Sequence, residues 1–125
     1  MLALVKTLEL NHVAIHVRDV ERSCEFYANA LRLTRLPRPA FDFPGAWFRL
    51  GMAQELHLIG GRTEAVTSQY RGNHFALRAD NLEAWREHLE NLSLITRGPV
   101  RRPDGATQIF IQDPDGHVIE LFIGP

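Results

Sequence analysis

The chain lacks the features that mark several large classes of protein. It has a single cysteine, Cys24, among 125 residues, which excludes an internal disulfide framework and favours a reducing, cytoplasmic location. The formal charge is −1 and no stretch is strongly basic, so nucleic acid and anionic membranes are poor candidates for partners. No apolar run approaches the roughly 20 residues that a membrane span needs, and we expect no signal peptide.

Length and composition bound the architecture. A chain of 125 residues with 45% hydrophobic content suits a single domain over residues 1–125, built either as one compact unit or as two small repeats that share a core.

Two Asn-His pairs indicate a duplicated unit. Asn11-His12 and Asn73-His74 each precede an apolar, strand-like run, and the two histidines are 62 residues apart. His57 and Glu120 each lie inside a later strand-like run and are 63 residues apart. Each repeat therefore contributes one candidate ligand from its first strand and one from its last.

The pattern of apolar positions predicts the same order of elements in both repeats. The first module covers about 9–59, with a strand, a helix capped by Asp19 and three strands at about 9–17, 20–31, 34–36, 46–50 and 55–59. The second module covers about 73–123, and its strands are expected near 74–78, 94–96, 107–112 and 118–123. Its helix follows a capping box in which Asp80 is the cap and Glu83 lies three residues on. Residues 60–72 form the linker.

The four repeated residues have the chemistry of one metal site. Imidazole nitrogen and carboxylate oxygen suit one divalent ion such as zinc, nickel, iron, cobalt or manganese. His12, His74 and Glu120 make a two-histidine, one-carboxylate set, and His57 is a possible fourth ligand. A lone strand histidine is usually an ordinary half-buried residue, but four candidates in repeated register favour the metal. The ligands meet only if the two sheets curl toward each other.

The other histidines have weaker claims. His16 shares the face of His12 but lies further along the strand, so it is at most a residue of the rim. His88 lies among charged residues and is expected on a solvated helix face. His117 follows a turn and is expected at the entry to a strand.

The motifs resemble the vicinal oxygen chelate superfamily, which includes glyoxalase I, extradiol dioxygenases, fosfomycin-resistance enzymes and bleomycin-resistance proteins. The resemblance covers nearly the whole chain and is strongest at 10–15, 73–76 and 113–121. It implies an α+β fold in which two paired βαβββ modules form a cup-shaped mixed sheet around a metal site. It also implies a homodimer, with the modules paired either within a chain or between exchanged chains. His57 departs from the glutamate that glyoxalase I has at this place, which puts standard glyoxalase I activity in doubt.

The function that this resemblance implies is a metal-dependent lyase or isomerase of the glyoxalase-I-like type, acting on a small-molecule substrate that chelates the metal through neighbouring oxygens. Glu120 is the expected catalytic proton carrier. Candidate substrate-binding residues are three aromatic side chains for an apolar wall and three arginines for an anionic group: Phe41, Phe43, Trp47, Arg71, Arg101 and Arg102. The alternatives are a fosfomycin-resistance-type thiol or water transferase, an extradiol dioxygenase and a metal-free drug-binding protein.

Overall fold

The computed structural model describes residues 3–125 and contains two βαβββ modules in an α+β fold. The first module consists of β1 (His12–His16), α1 (Val20–Asn29), β2 (Arg35–Leu36), β3 (Gly45–Leu50) and β4 (Gln54–Ile59). The second consists of β5 (Phe75–Arg78), α2 (Leu82–Asn91), β6 (Ile95–Arg101), β7 (Thr107–Gln112) and β8 (Val118–Ile123). The predicted order of elements is confirmed.

Each module forms a four-stranded mixed sheet of the same topology. The strand orders are β1-β4-β3-β2 and β5-β8-β7-β6. In both sheets the first strand is parallel to the last strand of its module, and the other neighbours are antiparallel. This order puts β1 and β5 at the edges of their sheets, where one side of each backbone is available for further pairing.

Local sequence explains where the helices begin. The Asp19 side chain accepts a hydrogen bond from the Arg22 amide, as a cap of α1 should. The predicted cap of α2 was wrong by one residue: Asn81, rather than Asp80, accepts from the Ala84 amide. Both side chains suit the role, and the structure selects the one immediately before the first helical residue.

One continuous hydrophobic core serves both modules. Val13 and Ile15 of β1 pack against it, together with fully buried residues such as Leu56, Leu89 and Ile119. Side chains alternate along a strand, so His12, Ala14 and His16 lie on the opposite, exposed face of β1. The core therefore covers one face of each sheet, and the predicted ligands are carried on the other.

Polar contacts across the module boundary supplement this core. The Tyr27 hydroxyl donates to Asp113 Oδ2 at 2.8 Å, although the two residues are 86 positions apart. His88 Nε2 approaches the Ala30 carbonyl at 3.0 Å, and His117 Nε2 approaches the His16 carbonyl at 2.9 Å. The prediction of a solvated His88 was wrong, because α2 places this ring against the end of α1.

Among residues 3–125, no helix is long and apolar enough to cross a membrane.

Candidate metal centre

The first half-site consists of His12 on β1 and His57 on β4. Their rings stack with centroids 4.1 Å apart and an interplanar angle of 14°. Trp47 of β3 stacks on the other side of His57, also at 4.1 Å and at 3°. The sheet register produces this arrangement, because His57 lies between Ala14 and Trp47 on adjacent strands. The small side chain of Ala14 leaves the space beside His57 open.

Hydrogen bonds orient both rings of the first half-site. His57 Nε2 donates to Glu55 Oε1 at 2.8 Å, and His12 Nδ1 donates to Asn11 Oδ1 at 2.8 Å. A neutral imidazole that donates through one nitrogen keeps a lone pair on the other. His57 Nδ1 and His12 Nε2 are thus left as electron-pair donors. An outer hydrogen bond of this kind fixes the tautomer of histidines that bind metals.

The second half-site consists of His74, immediately before β5, and Glu120 on β8. His74 Nδ1 donates to the Gln69 carbonyl at 3.0 Å, and its Nε2 lies 3.2 Å from Glu120 Oε1. In the neutral ring this places a nitrogen lone pair opposite a carboxylate oxygen. Two electron-rich atoms so close together are stabilised by a proton or a metal cation between them. Glu120 is only 4% exposed, so water screens the pair poorly.

Cationic and aromatic side chains adjoin the second half-site. Arg102 Nη1 is 4.0 Å from Glu120 Oε2, and the same guanidinium is held by Asp104. The Asp104 hydrogen bond raises the pKa of Arg102, and Arg102 in turn lowers the pKa of Asp104 to about 2. Tyr70 packs edge-on against Phe110, which also contacts the His74 ring. The second half-site is therefore more enclosed than the first.

The structure groups the four predicted ligands into two pairs. Within the described part of a single chain, 3–125, no three His, Cys, Asp or Glu side chains come together as a metal-binding group. His12 with His57, and His74 with Glu120, each supply two donors. A structural or catalytic zinc site needs three or four protein ligands, so each half-site alone is incomplete.

The predicted substrate-binding residues fall into different places. The rings of Phe41 and Phe43 stack with centroids 5.1 Å apart, and the two residues are 45% and 40% exposed. The ring centroids of Phe41 and Trp47 are 6.1 Å apart. Trp47 thus connects the two phenylalanines to His57 of the first half-site, while Arg102 adjoins the second.

Two other predicted arginines have no comparable position. Arg71 and Arg101 are exposed, and the half-site hydrogen bonds and ion pairs found within residues 3–125 involve neither of them. Sequence reasoning missed Arg97, whose guanidinium lies over the Tyr70 ring at 5.4 Å. The predicted strand at 94–96 was too short to include it, and only a longer β6 would have shown its pairing with Phe110.

The fold agrees with comparisons to known proteins. A sequence model described as Glyoxalase/Bleomycin resistance protein/Dioxygenase superfamily matches residues 9–121. The chain belongs to this superfamily.

Named relatives of this glyoxalase superfamily member have different activities. A lactoylglutathione lyase from Salmonella typhimurium is 35% identical over 125 residues, with 91% of each chain covered. A metallothiol transferase, FosB, from Bacillus licheniformis is 27% identical over 124 residues, covering 95% of this chain and 77% of the relative. A crystal structure of a putative glyoxalase family protein from Bacillus anthracis has a TM-score of 0.82 at 20% identity, covering 98% of this chain and 100% of the other. The last comparison supports the fold alone.

Proposed function

We propose that this protein is a divalent-metal-dependent lyase or isomerase of the glyoxalase type, whose site is completed between two copies of the chain. His12 and His57 of one copy would face His74 and Glu120 of the other. Two such sites would form in a symmetric dimer, because each chain carries one half-site of each kind. The support is that each half-site, on the sheet face opposite the core, has two donors where a metal needs about four.

The donor chemistry of the two halves fits a borderline divalent ion. Each of the three histidines donates a hydrogen bond through one ring nitrogen to a protein oxygen and keeps a lone pair on the other nitrogen. Three neutral imidazoles and one carboxylate would leave a divalent ion with a net charge of about +1. A bound ion of that charge supplies Lewis acidity toward two neighbouring oxygens of a substrate.

Glu120 is the residue proposed to move the proton. It is the single carboxylate among the four donors, and it is buried beside His74. It would accept a proton from one substrate carbon and return it to the adjacent carbon, so the reaction would consume no oxidant or reductant. Burial excludes competing water from this carboxylate.

The surroundings define a substrate with an apolar and an anionic part. Trp47, Phe41 and Phe43 offer aromatic surface beside the first half-site, and Arg102 and Arg97 offer positive charge beside the second. Guanidinium groups bind carboxylates or phosphonates through paired hydrogen bonds. When two chains combine the half-sites, both kinds of surface would line one cavity.

A thiol transferase is the second candidate. The metallothiol transferase FosB relative matches 95% of this chain. The presence of His57 leaves Glu120 as the only carboxylate among the proposed ligands, which resembles the two-histidine, one-glutamate set of fosfomycin-resistance enzymes. Metal-loaded protein should be incubated with a glutathione hemithioacetal and, separately, with a thiol and an epoxide. Turnover of the epoxide alone would favour the transferase.

Metal binding tests the common part of both candidates. We expect isothermal titration with Zn²⁺ or Ni²⁺ to give about one ion per chain, and His12→Ala and His74→Ala each to weaken binding about 10-fold or more. His16→Ala is the matched control, because His16 lies on the same face of β1 but directs Nε2 to the Gly60 carbonyl at 2.9 Å. If both ligand variants bound metal as the control does, the proposal would be refuted.

A further inference from the structure

The segment before β1, residues 3–11, carries apolar side chains that one chain leaves in water. Leu4, Val5 and Leu8 are 94%, 90% and 97% exposed, and Leu10 is 62% exposed. Single exposed apolar residues are ordinary, but four within seven positions form a surface that favours burial. We call residues 3–11 the N-terminal arm.

An apolar groove of about 360 Å³ lies between the two modules, along β5. Leucines from both modules and one tryptophan form most of its wall: Leu31, Leu33, Leu50, Leu77, Trp85 and Leu121. β5 is the edge strand of its sheet, so main-chain groups along one side of it are available to an additional extended segment. The groove therefore suits an extended apolar peptide.

We propose that the N-terminal arm of one copy lies in the groove of a second copy, with the exchange reciprocal. This inference rests on the proposed function, in which His12 of one copy meets His74 of the other. His12 is the first residue of β1 and follows the arm directly, while His74 immediately precedes β5. Joining the two half-sites thus brings the base of the arm to the strand that lines the partner groove.

The length of the arm agrees with this occupant. Its nine residues span about 30 Å when extended, and the four residues of β5 span about 13 Å, so the arm is long enough to follow the groove. The arm ends beside Gln54, where it joins β1, yet in its own chain its apolar side chains remain exposed.

Cysteine cross-linking between separately purified chains tests the exchange. In a Cys24→Ala background, chains with Leu8→Cys are mixed with chains with Leu33→Cys, loaded with Zn²⁺ and oxidised mildly. We expect a disulfide-linked heterodimer on a non-reducing gel. Met52→Cys replaces Leu8→Cys in the control mixture, because Met52 is 99% exposed and lies in the β3–β4 turn. The control mixture should cross-link at least about 10-fold more slowly.

The outcomes separate this inference from the proposed function. If Zn²⁺ produces a dimer but the Leu8→Cys mixture cross-links no faster than the Met52→Cys mixture, the arm exchange alone is overturned. A chain carrying both cysteines that closes internally as a dilute monomer overturns it in favour of the chain's own groove. A chain that remains monomeric with metal bound overturns both proposals.

The dimer dissociation constant gives an independent measurement. Leu4→Ser combined with Leu8→Ser removes two apolar side chains from the arm, and we expect the dissociation constant by analytical ultracentrifugation to rise at least about 10-fold. Met52→Ser should leave it unchanged. Equal constants for the two variants would contradict a buried arm.

Discussion

The buried hydrogen bond between Tyr27 and Asp113 should contribute measurably to stability, and Tyr27→Phe removes it with little change in shape. Tyr27 is 0% exposed, and its hydroxyl donates at 2.8 Å to a carboxylate that is itself 6% exposed. The other oxygen, Asp113 Oδ1, already accepts from the Asp115 and His117 amides. Phenylalanine would leave Oδ2 buried without this donor, at a cost of about 2 kcal/mol for a bond to a charged group.

Thermal unfolding provides the assay for this substitution. With an unfolding entropy of about 2.1 cal/mol/K per residue, a loss of 2 kcal/mol should lower Tm by roughly 8 °C for a chain of this length. Tyr70→Phe is the matched control, since its hydroxyl makes an exposed contact of 3.4 Å with the Thr96 carbonyl. We expect the control to lose less than about 0.5 kcal/mol. Equal shifts for both variants would refute the assignment of Tyr27 as a link between modules.

Three further predictions concern pH and charge. Burial raises the pKa of Tyr27 well above 10.0, so unfolding releases a proton above that pH and the free energy of unfolding should fall there. The fall should be less steep in Tyr27→Phe. Identical alkaline slopes for the two proteins in urea unfolding would contradict this. Arg102 lowers the pKa of Asp104 from 3.8 to about 2, so the stability that this pair contributes is present above about pH 4 and is lost toward pH 2. Asp104→Asn should make the free energy of unfolding depend less on pH in this acid range, as measured by the same urea unfolding. Arg102→Gln removes a cation 4.0 Å from Glu120 and should tighten Zn²⁺ binding about threefold in titration calorimetry. Arg101→Gln is the control and should leave the affinity unchanged. Equal Zn²⁺ affinities for the two variants would show that Arg102 does not affect metal binding at Glu120.

The repeated strand–helix–three-strand plan was predictable because local patterns determine it. Alternating apolar residues in β1 and β4 show which face of the first sheet turns to the core, and the exposed His12 face follows from the same alternation. Asp19 marks the start of α1 through a contact three residues away. These features depend on residues that are close in sequence, so the sequence alone predicts them.

These patterns could not predict contacts between residues that are far apart in sequence. The Tyr27–Asp113 bond and the packing of His88 on the end of α1 depend on how two modules dock, which periodicity does not encode. Arg97 was missed because β6 includes register shifts, so its extent is not evident from alternation. For the ligands, sequence repetition singled out four residues as one set, whereas within residues 3–125 His12 lies with His57 and His74 lies with Glu120.

Mixing two inactive variants tests the central claim most directly. Neither His12→Ala nor His74→Ala should form a complete site as a homodimer, but a heterodimer of the two would contain one site with all four wild-type ligands. Random exchange makes about half of the dimers heterodimers with one intact site of two, so about a quarter of the wild-type high-affinity Zn²⁺ sites should return. A site formed within one chain predicts no recovery on mixing, and that result would contradict a metal centre shared between copies.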